Sequence, residues 1–266
     1  MTTIDSTEKR KFYQDNGFAI FPSAFSDDSI ASALAAGDDL MAGIYETDTP
    51  PRDGWNAETD DPNNKIRKID QPQLASNRIL DFISEPLWGE WIADVLEAKT
   101  VQVWAVQFLH KPCGGDGQST IGWHQDFQYW QNWWTPDSNV FTAWVALSDV
   151  TAESGPMCFL EGSNNWGFLD AGDFFGTPDQ SIDGIPVPDG EKINEVPGVM
   201  SPGEFSIHHC HCYHGSHPNT SNLPRRSLAV HMRTEASGPT PDNYPGFGYD
   251  YIANLGEHTS PVIFSR

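Results

Sequence analysis

Two histidines and one aspartate set the chemistry open to this chain. His124 and Asp126 are two apart in Trp123-His124-Gln125-Asp126, and on a strand residues i and i+2 share a face, so an imidazole and a carboxylate could reach one metal ion. In a chain with nine histidines this pair alone is a weak signal. His214, in Tyr213-His214-Gly215-Ser216, follows a run of strand-like segments and offers a second imidazole. Two His and one carboxylate leave three coordination positions open, the arrangement of non-haem Fe(II) oxygenases. Beyond His214 comes Arg225, whose planar cation suits a carboxylate. An oxoacid could then chelate the metal through its keto group and C1 carboxylate while Arg225 holds the far carboxylate.

Each of these residues has a plainer alternative: a core histidine, a turn-capping aspartate, a surface arginine. Against the last, Ser227 and Ala229 continue the Arg225 face of the strand with small side chains that leave room, while Leu228, Val230 and Met232 form a core face. The run His208-His209-Cys210-His211-Cys212 raises a zinc alternative, but a structural zinc site needs a second spaced pair of ligands and no second Cys pair is present. These side chains are therefore expected to pack or to line a pocket, and Cys113 and Cys158 to be inert thiols.

The elements that must position these groups follow from patterning. Residues 7–14 predict a helix and residues 17–21 a strand; Ser26 caps a second helix carrying Ile30, Leu34 and Met41. Residues 79–98 predict one or two more helices, interrupted near Pro86. From Val101 the pattern turns to β-rich runs at 101–109, 140–147, 157–160, 204–209 and 227–232. Residues 45–64 and 166–196 are rich in Gly, Pro, Asp and Asn, without sustained periodicity. They carry Trp55, Trp166, Phe168, Phe174 and Phe175, and are expected to cover the open end of the β core as lids.

Composition bounds the partners. Fifteen Lys and Arg against 37 Asp and Glu give a formal charge of −22, which disfavours nucleic acid and anionic lipid as partners. No stretch approaches the ~18 apolar residues of a membrane span, and the N-terminal residues lack the apolar core of a secretory signal, so a soluble, cytoplasmic protein with free thiols is expected. One domain of 266 residues is expected: a mostly helical part over 1–100, the β core over 101–235 and an extension over 236–266.

In its ordered motifs the chain resembles the phytanoyl-CoA dioxygenase-like Fe(II)/2-oxoglutarate oxygenases. The likeness runs through Phe12-Tyr13-Gln14-Asp15-Asn16-Gly17-Phe18, His124-Gln125-Asp126-Phe127-Gln128-Tyr129-Trp130 and Ala143-Trp144-Val145-Ala146-Leu147-Ser148-Asp149. It continues in Glu161-Gly162-Ser163-Asn164 and His214-Gly215-Ser216-His217-Pro218-Asn219-Thr220-Ser221. The resemblance implies a mainly β fold with flanking helices, a cupin-like double-stranded β-helix or jelly roll. It further implies Fe(II) on His124, Asp126 and His214, 2-oxoglutarate on Arg225, and cosubstrate contacts from Gln107, Lys111, Trp130 and Ser216. Trp144 is expected to line the cosubstrate pocket, and Asn164 stands where many relatives carry a His.

The function expected is oxidation, foremost hydroxylation, of a small-molecule metabolite with O2, releasing succinate and CO2. Asp126 argues against halogenation, because related halogenases carry a small residue at that ligand position. Phe127, Tyr129, Trp133 and Trp134, with Trp104 and Trp123 near in sequence, predict an aromatic-walled substrate site, and the acidic balance argues for a small metabolite over an acyl-CoA. Two alternatives from other classes are a zinc-dependent hydrolase or lyase built on the same histidines, and a jelly-roll binding protein without turnover. Sequence leaves the oligomeric state open.

Overall fold

The protein is described from a computed structural model, which covers residues 3–52, 66–114, 119–240, 252, 255–257 and 259–266. Helix α1 (Ser6–Asn16) starts where the Asp5 carboxylate accepts from the Thr7 and Glu8 amides, and ends at Gly17, whose φ of 81° suits a residue without Cβ. Strand β1 (Phe18–Phe21) follows, then α2 (Asp27–Met41), capped by Ser26 as expected. Strand β2 (Arg67–Asp70) leads to α3 (Asn77–Ile83) and α4 (Pro86–Leu96). Pro86 separates these helices because it serves as the first residue of α4, where a missing N–H costs nothing.

The β core comprises β3 (Thr100–Lys111), β4 (Ile121–His124), β5 (Val140–Ala146), β6 (Met157–Leu160), β7 (Glu195–Pro197), β8 (Phe205–His209), β9 (His214–Ser216), β10 (Arg225–Thr234) and β11 (Val262–Ser265). Two short helices, α5 (Phe127–Trp130) and α6 (Pro178–Ile182), lie in its connections. The larger sheet has the order β1-β8-β5-β10-β3-β11, with β2 also on β3, and the smaller is β4-β9-β6-β7; every pairing is antiparallel. This is the two-sheet jelly roll with flanking helices. The helical N-terminal part contributes β1 and β2 to the larger sheet, and the C-terminal part contributes β11. Both ends of the chain therefore share the β core's sheet.

Strand alternation sends the two faces of the larger sheet to different tasks. Leu228, Val230 and Met232 of β10 join Val103, Phe108, Phe141, Val145, Phe205 and Ile207 against Ile30, Ala33, Leu40, Ile79, Phe82, Trp88 and Ile92 of the helices. This buried layer fixes the outer face. The inner face carries Arg225, Ala229 and His231 toward the smaller sheet. Segment 166–196 is not the structureless excursion its composition suggests. It holds α6 and part of β7 and is tied to the core by the Asp173 and Leu169 amides, which donate to the Trp123 carbonyl and the Gln125 side chain. Of the expected lid at 45–64, residues from 53 onward, Trp55 among them, lie outside the described residues.

Candidate active site

Pairing register brings together groups that sequence holds far apart. His124 at the end of β4 stands directly opposite His214 at the start of β9, and their rings lie 4.2 Å apart. Asp126 reaches the same point by a different route from the one its spacing suggests. The strand ends at His124, Gln125 turns inward to donate to the Gly167 and His211 carbonyls, and Asp126 has helical backbone (φ −55°, ψ −37°) at the start of α5. Its Oδ1 is 3.8 Å from Nε2 of His124 and 3.6 Å from Nε2 of His214. One donor atom from each of the three residues falls within 4.8 Å of the others.

The hydrogen bonds around the triad leave the right atoms free. Nδ1–H of His124 donates to the Gly122 carbonyl at 2.8 Å, and Nδ1–H of His214 to the Cys212 carbonyl at 3.0 Å. A carbonyl can only accept, so both Nε2 atoms carry lone pairs toward Asp126. Burial pushes both histidines toward the neutral form, which a metal requires. Burial alone would raise Asp126, yet the adjoining His214 and His208 imidazoles hold its carboxyl well below the usual range. Its Oδ2 accepts from Thr142 Oγ1 at 2.6 Å and His208 Nε2 at 3.2 Å, leaving Oδ1 for a metal. Thr142 Oγ1 in turn accepts from Nδ1 of His231 at 2.9 Å.

That support is a row across the larger sheet: His208 opposes Thr142, and Thr142 opposes His231. Thr142, His208 and His231 were not singled out as supports of the ligands by sequence. The signal was present only as alternation within three strands, and register across strands is a long-range property.

A second row lies further along. Trp144 opposes Ala229, which opposes Gln107, and at the far end Arg225 opposes Lys111. One cavity runs from the triad to Arg225, with Gln107, Trp144, Met157, Ser216 and Ala229 among its walls. The Arg225 guanidinium is 1% exposed, lies 5.0 Å from the Trp144 ring centroid and donates from Nη1 to the Gly155 carbonyl at 2.5 Å. Lys111 is fully buried and reaches the cavity wall indirectly, donating to Ser216 Oγ at 2.7 Å and the His217 carbonyl at 2.5 Å. Gly155 has φ of 65°, and a Cβ there would fall 2.4 Å from the His217 carbonyl oxygen and 2.9 Å from the Lys111 Nζ, so a side chain has no room beside these contacts.

Neither cation has a carboxylate partner among the described residues, and the Arg225 Nε has no hydrogen-bond partner there. Burial pushes Arg225 down to about 10; burial, then the Arg225 charge, pushes Lys111 well below 10.5. Two buried cations without a counter-ion make a site for a dianion. At the other end, two imidazoles and one carboxylate oxygen suit Fe(II). The residues present therefore fit both a metal and a dicarboxylate oxoacid.

Trp130 does not line this cavity. It belongs to a neighbouring chamber on the open side of the triad, with Lys68, Tyr129, Trp133, Phe174, Phe175 and His231. Phe174 packs its ring 5.0 Å from that of His124, and its amide donates to Tyr129 Oη at 3.1 Å. Phe174 is held there because segment 172–174 hugs β4: Gly172 has φ of 107° and a Cβ there would fall 2.2 Å from the Trp123 carbonyl oxygen. Phe175 beside it is 86% exposed. Cys210 and Cys212 are buried, and among the described residues neither belongs to a cluster of three metal-ligand side chains, against a zinc role for that run.

Residues 13–227 match the phytanoyl-CoA dioxygenase (PhyH) family. A probable alpha-ketoglutarate-dependent hypophosphite dioxygenase from Stutzerimonas stutzeri is 23% identical, the alignment covering 97% of this chain and 86% of that protein. An ectoine dioxygenase from Bordetella parapertussis is 24% identical over 90% of this chain and 79% of its own. In fold, the chain is similar to the epimerase SnoN solved in complex with Fe3+, alpha ketoglutarate and nogalamycin RO, with a TM-score of 0.68, 20% identity and 91% of each chain covered. None of the described helices is long and apolar enough to cross a membrane.

Proposed function

As this chain belongs to the phytanoyl-CoA dioxygenase family of Fe(II)- and 2-oxoglutarate-dependent dioxygenases, we propose that it hydroxylates a small-molecule metabolite, using O2 and releasing succinate and CO2. His124, Asp126 and His214 hold Fe(II), and Arg225 holds the far carboxylate of 2-oxoglutarate. The observation that carries this assignment is the single cavity joining the triad to a buried arginine that has no carboxylate partner among the described residues.

Iron and cosubstrate together supply, when bound, the oxidising power that side chains lack. The chain's own part is placement. Nε2 of His124 and of His214, each fixed by a carbonyl behind it, and Oδ1 of Asp126 set three ligand directions on one side. Arg225 fixes the cosubstrate's orientation, with Trp144 against the guanidinium face and Gln107 and Ser216 along the wall. Lys111 adds positive charge and holds Ser216 in position. On the open side, Tyr129, Trp130, Trp133 and Phe174 bound a mostly aromatic chamber that positions the substrate C–H and excludes water.

The relatives' names span an inorganic oxyanion, ectoine and nogalamycin, so the substrate is chosen by this chamber. Lys68, its one cation among the described residues, favours a metabolite over an acyl-CoA. The test is a metabolite screen with iron-loaded enzyme and isotopically labelled O2. A product gaining one labelled oxygen, formed with one succinate, is expected. A product isomeric with its substrate, or lacking two hydrogens, would replace hydroxylation with rearrangement or desaturation.

A further inference from the structure

Three side chains, from β6, from β7 and from the residue that follows β9, converge on the smaller sheet away from the triad. Cys158 in β6 stands opposite Pro197 of β7 and Gly215 of β9, and Glu195 and His217 lie two residues from these partners. The Cys158 sulfur, a Glu195 carboxylate oxygen and a His217 ring nitrogen all lie within 4.8 Å of one another. Nε2 of His217 is 2.8 Å from Oε1 of Glu195, and the Cys158 thiol donates to the Pro156 carbonyl at 3.7 Å. The thiol is buried, whereas the His217 and Glu195 side chains are 41% and 33% exposed.

We propose that Cys158, Glu195 and His217 form a second divalent-cation site, suited to zinc and separate from the iron triad. Thiolate, carboxylate and imidazole are the zinc ligand types, and their softness disfavours magnesium or calcium. In the metal-free state a hydrogen bond joins His217 to Glu195 beside the Cys158 sulfur, and the ion takes the place of that hydrogen and of the thiol's. Binding releases the Cys158 thiol proton to solvent, and a second proton from any His217 that is protonated. The resulting donor set carries two negative charges, matching the ion. Burial and the adjoining Glu195 push the metal-free Cys158 thiol up, more than Lys111 and Arg225 lower it, so the thiolate forms with the ion rather than before it, and the site depends on both anionic ligands. The partial exposure of His217 and Glu195 gives an entry path and leaves the remaining coordination positions to water.

The zinc chemistry suggested by the chain's Cys and His content thus falls on Cys158 and His217 rather than on the 208–212 run. The test is anaerobic titration of the full-length apoprotein with cobalt(II), followed by absorption. An intense near-ultraviolet thiolate-to-cobalt band, complete by two ions per chain and bleached by zinc, is expected beside the weak visible bands of the nitrogen and oxygen site. The band should vanish in Cys158→Ser, weaken in His217→Gln, and survive in Cys113→Ser and Asp126→Ala. Its absence from the wild type would overturn the site, as would its persistence in Cys158→Ser. If Cys158→Ser also loses the visible bands, the surface variant decides: an undiminished band in His217→Gln overturns the site.

Discussion

The two ends of the catalytic cavity are built from different material. The Arg225 end stands on paired strands, with its cations buried and its neighbours dictated by register. The chamber on the other side of the triad is bounded by α5, by segment 172–175 and by Lys68 of the short β2, and it includes the largely exposed Phe175. On the proposed assignment, a cosubstrate common to a family is gripped by the rigid end, and a substrate particular to one member meets the end where loops can change without disturbing the sheet.

The largest effect tests what the two ends share. Asp126→Ala should lower 2-oxoglutarate turnover by at least about 10³-fold, since a metal contributing several kcal/mol is lost from both ends at once. Succinate formation checks it; turnover near the wild-type value would remove Asp126 from the ligand set. Arg225→Leu should separate the ends. Loss of one partner of a buried charge pair costs about 2–5 kcal/mol, or roughly 30-fold or more in 2-oxoglutarate affinity. Substrate affinity, measured with an inert metal, should stay within a few-fold. An equal loss of both would mean that the ends are not independent.

A smaller effect is a matter of protons. Lys111 is depressed in the ligand-free protein by burial and by Arg225, so a bound carboxylate must raise it again. Binding of 2-oxoglutarate should therefore take up protons, and affinity should fall as pH rises toward 10.5. Calorimetry in buffers of different ionisation enthalpy reads the uptake directly, and release in place of uptake would contradict it. Smallest is Phe174→Ala. Removing one ring contact of about 0.5–1.5 kcal/mol should raise the substrate KM by up to about tenfold and leave 2-oxoglutarate affinity alone. A change confined to 2-oxoglutarate would assign Phe174 to the other end.

Sequence makes the larger outlines legible and leaves the short elements hidden. α2 shows through Ser26 and its periodic apolar face, and β10 through the alternation of Ser227 and Ala229 with Leu228 and Val230. Strands β2, β7, β9 and β11 have three or four residues each, too few for alternation to register. The grouping of His124 with Asp126 is found by a same-face argument, although the strand stops between them and Gln125 makes the turn. His208 shows how far spacing can go. It stands beside the proposed metal histidine of β9 in space, its ring 4.2 Å from that of His214, yet in sequence it belongs to a His- and Cys-rich run that suggests zinc. Only the pairing of β8 with β5 reveals that it faces Thr142 and Asp126.

The order in which the strands pair also bears on biosynthesis. β1 lies at the beginning of the chain and finds its partner only in β8, where Phe18 opposes His208. β5 lies between β8 and β10, so both its edges are satisfied only by strands made well after it. On a ribosome, the early helices and β1 must wait for nearly two hundred residues before the sheet can close, and such distant pairing slows folding. His214 and Arg225 emerge later still. A nascent chain consequently cannot assemble the complete proposed iron and cosubstrate site early, and that centre becomes possible only once the strands that carry His214 and Arg225 have been made.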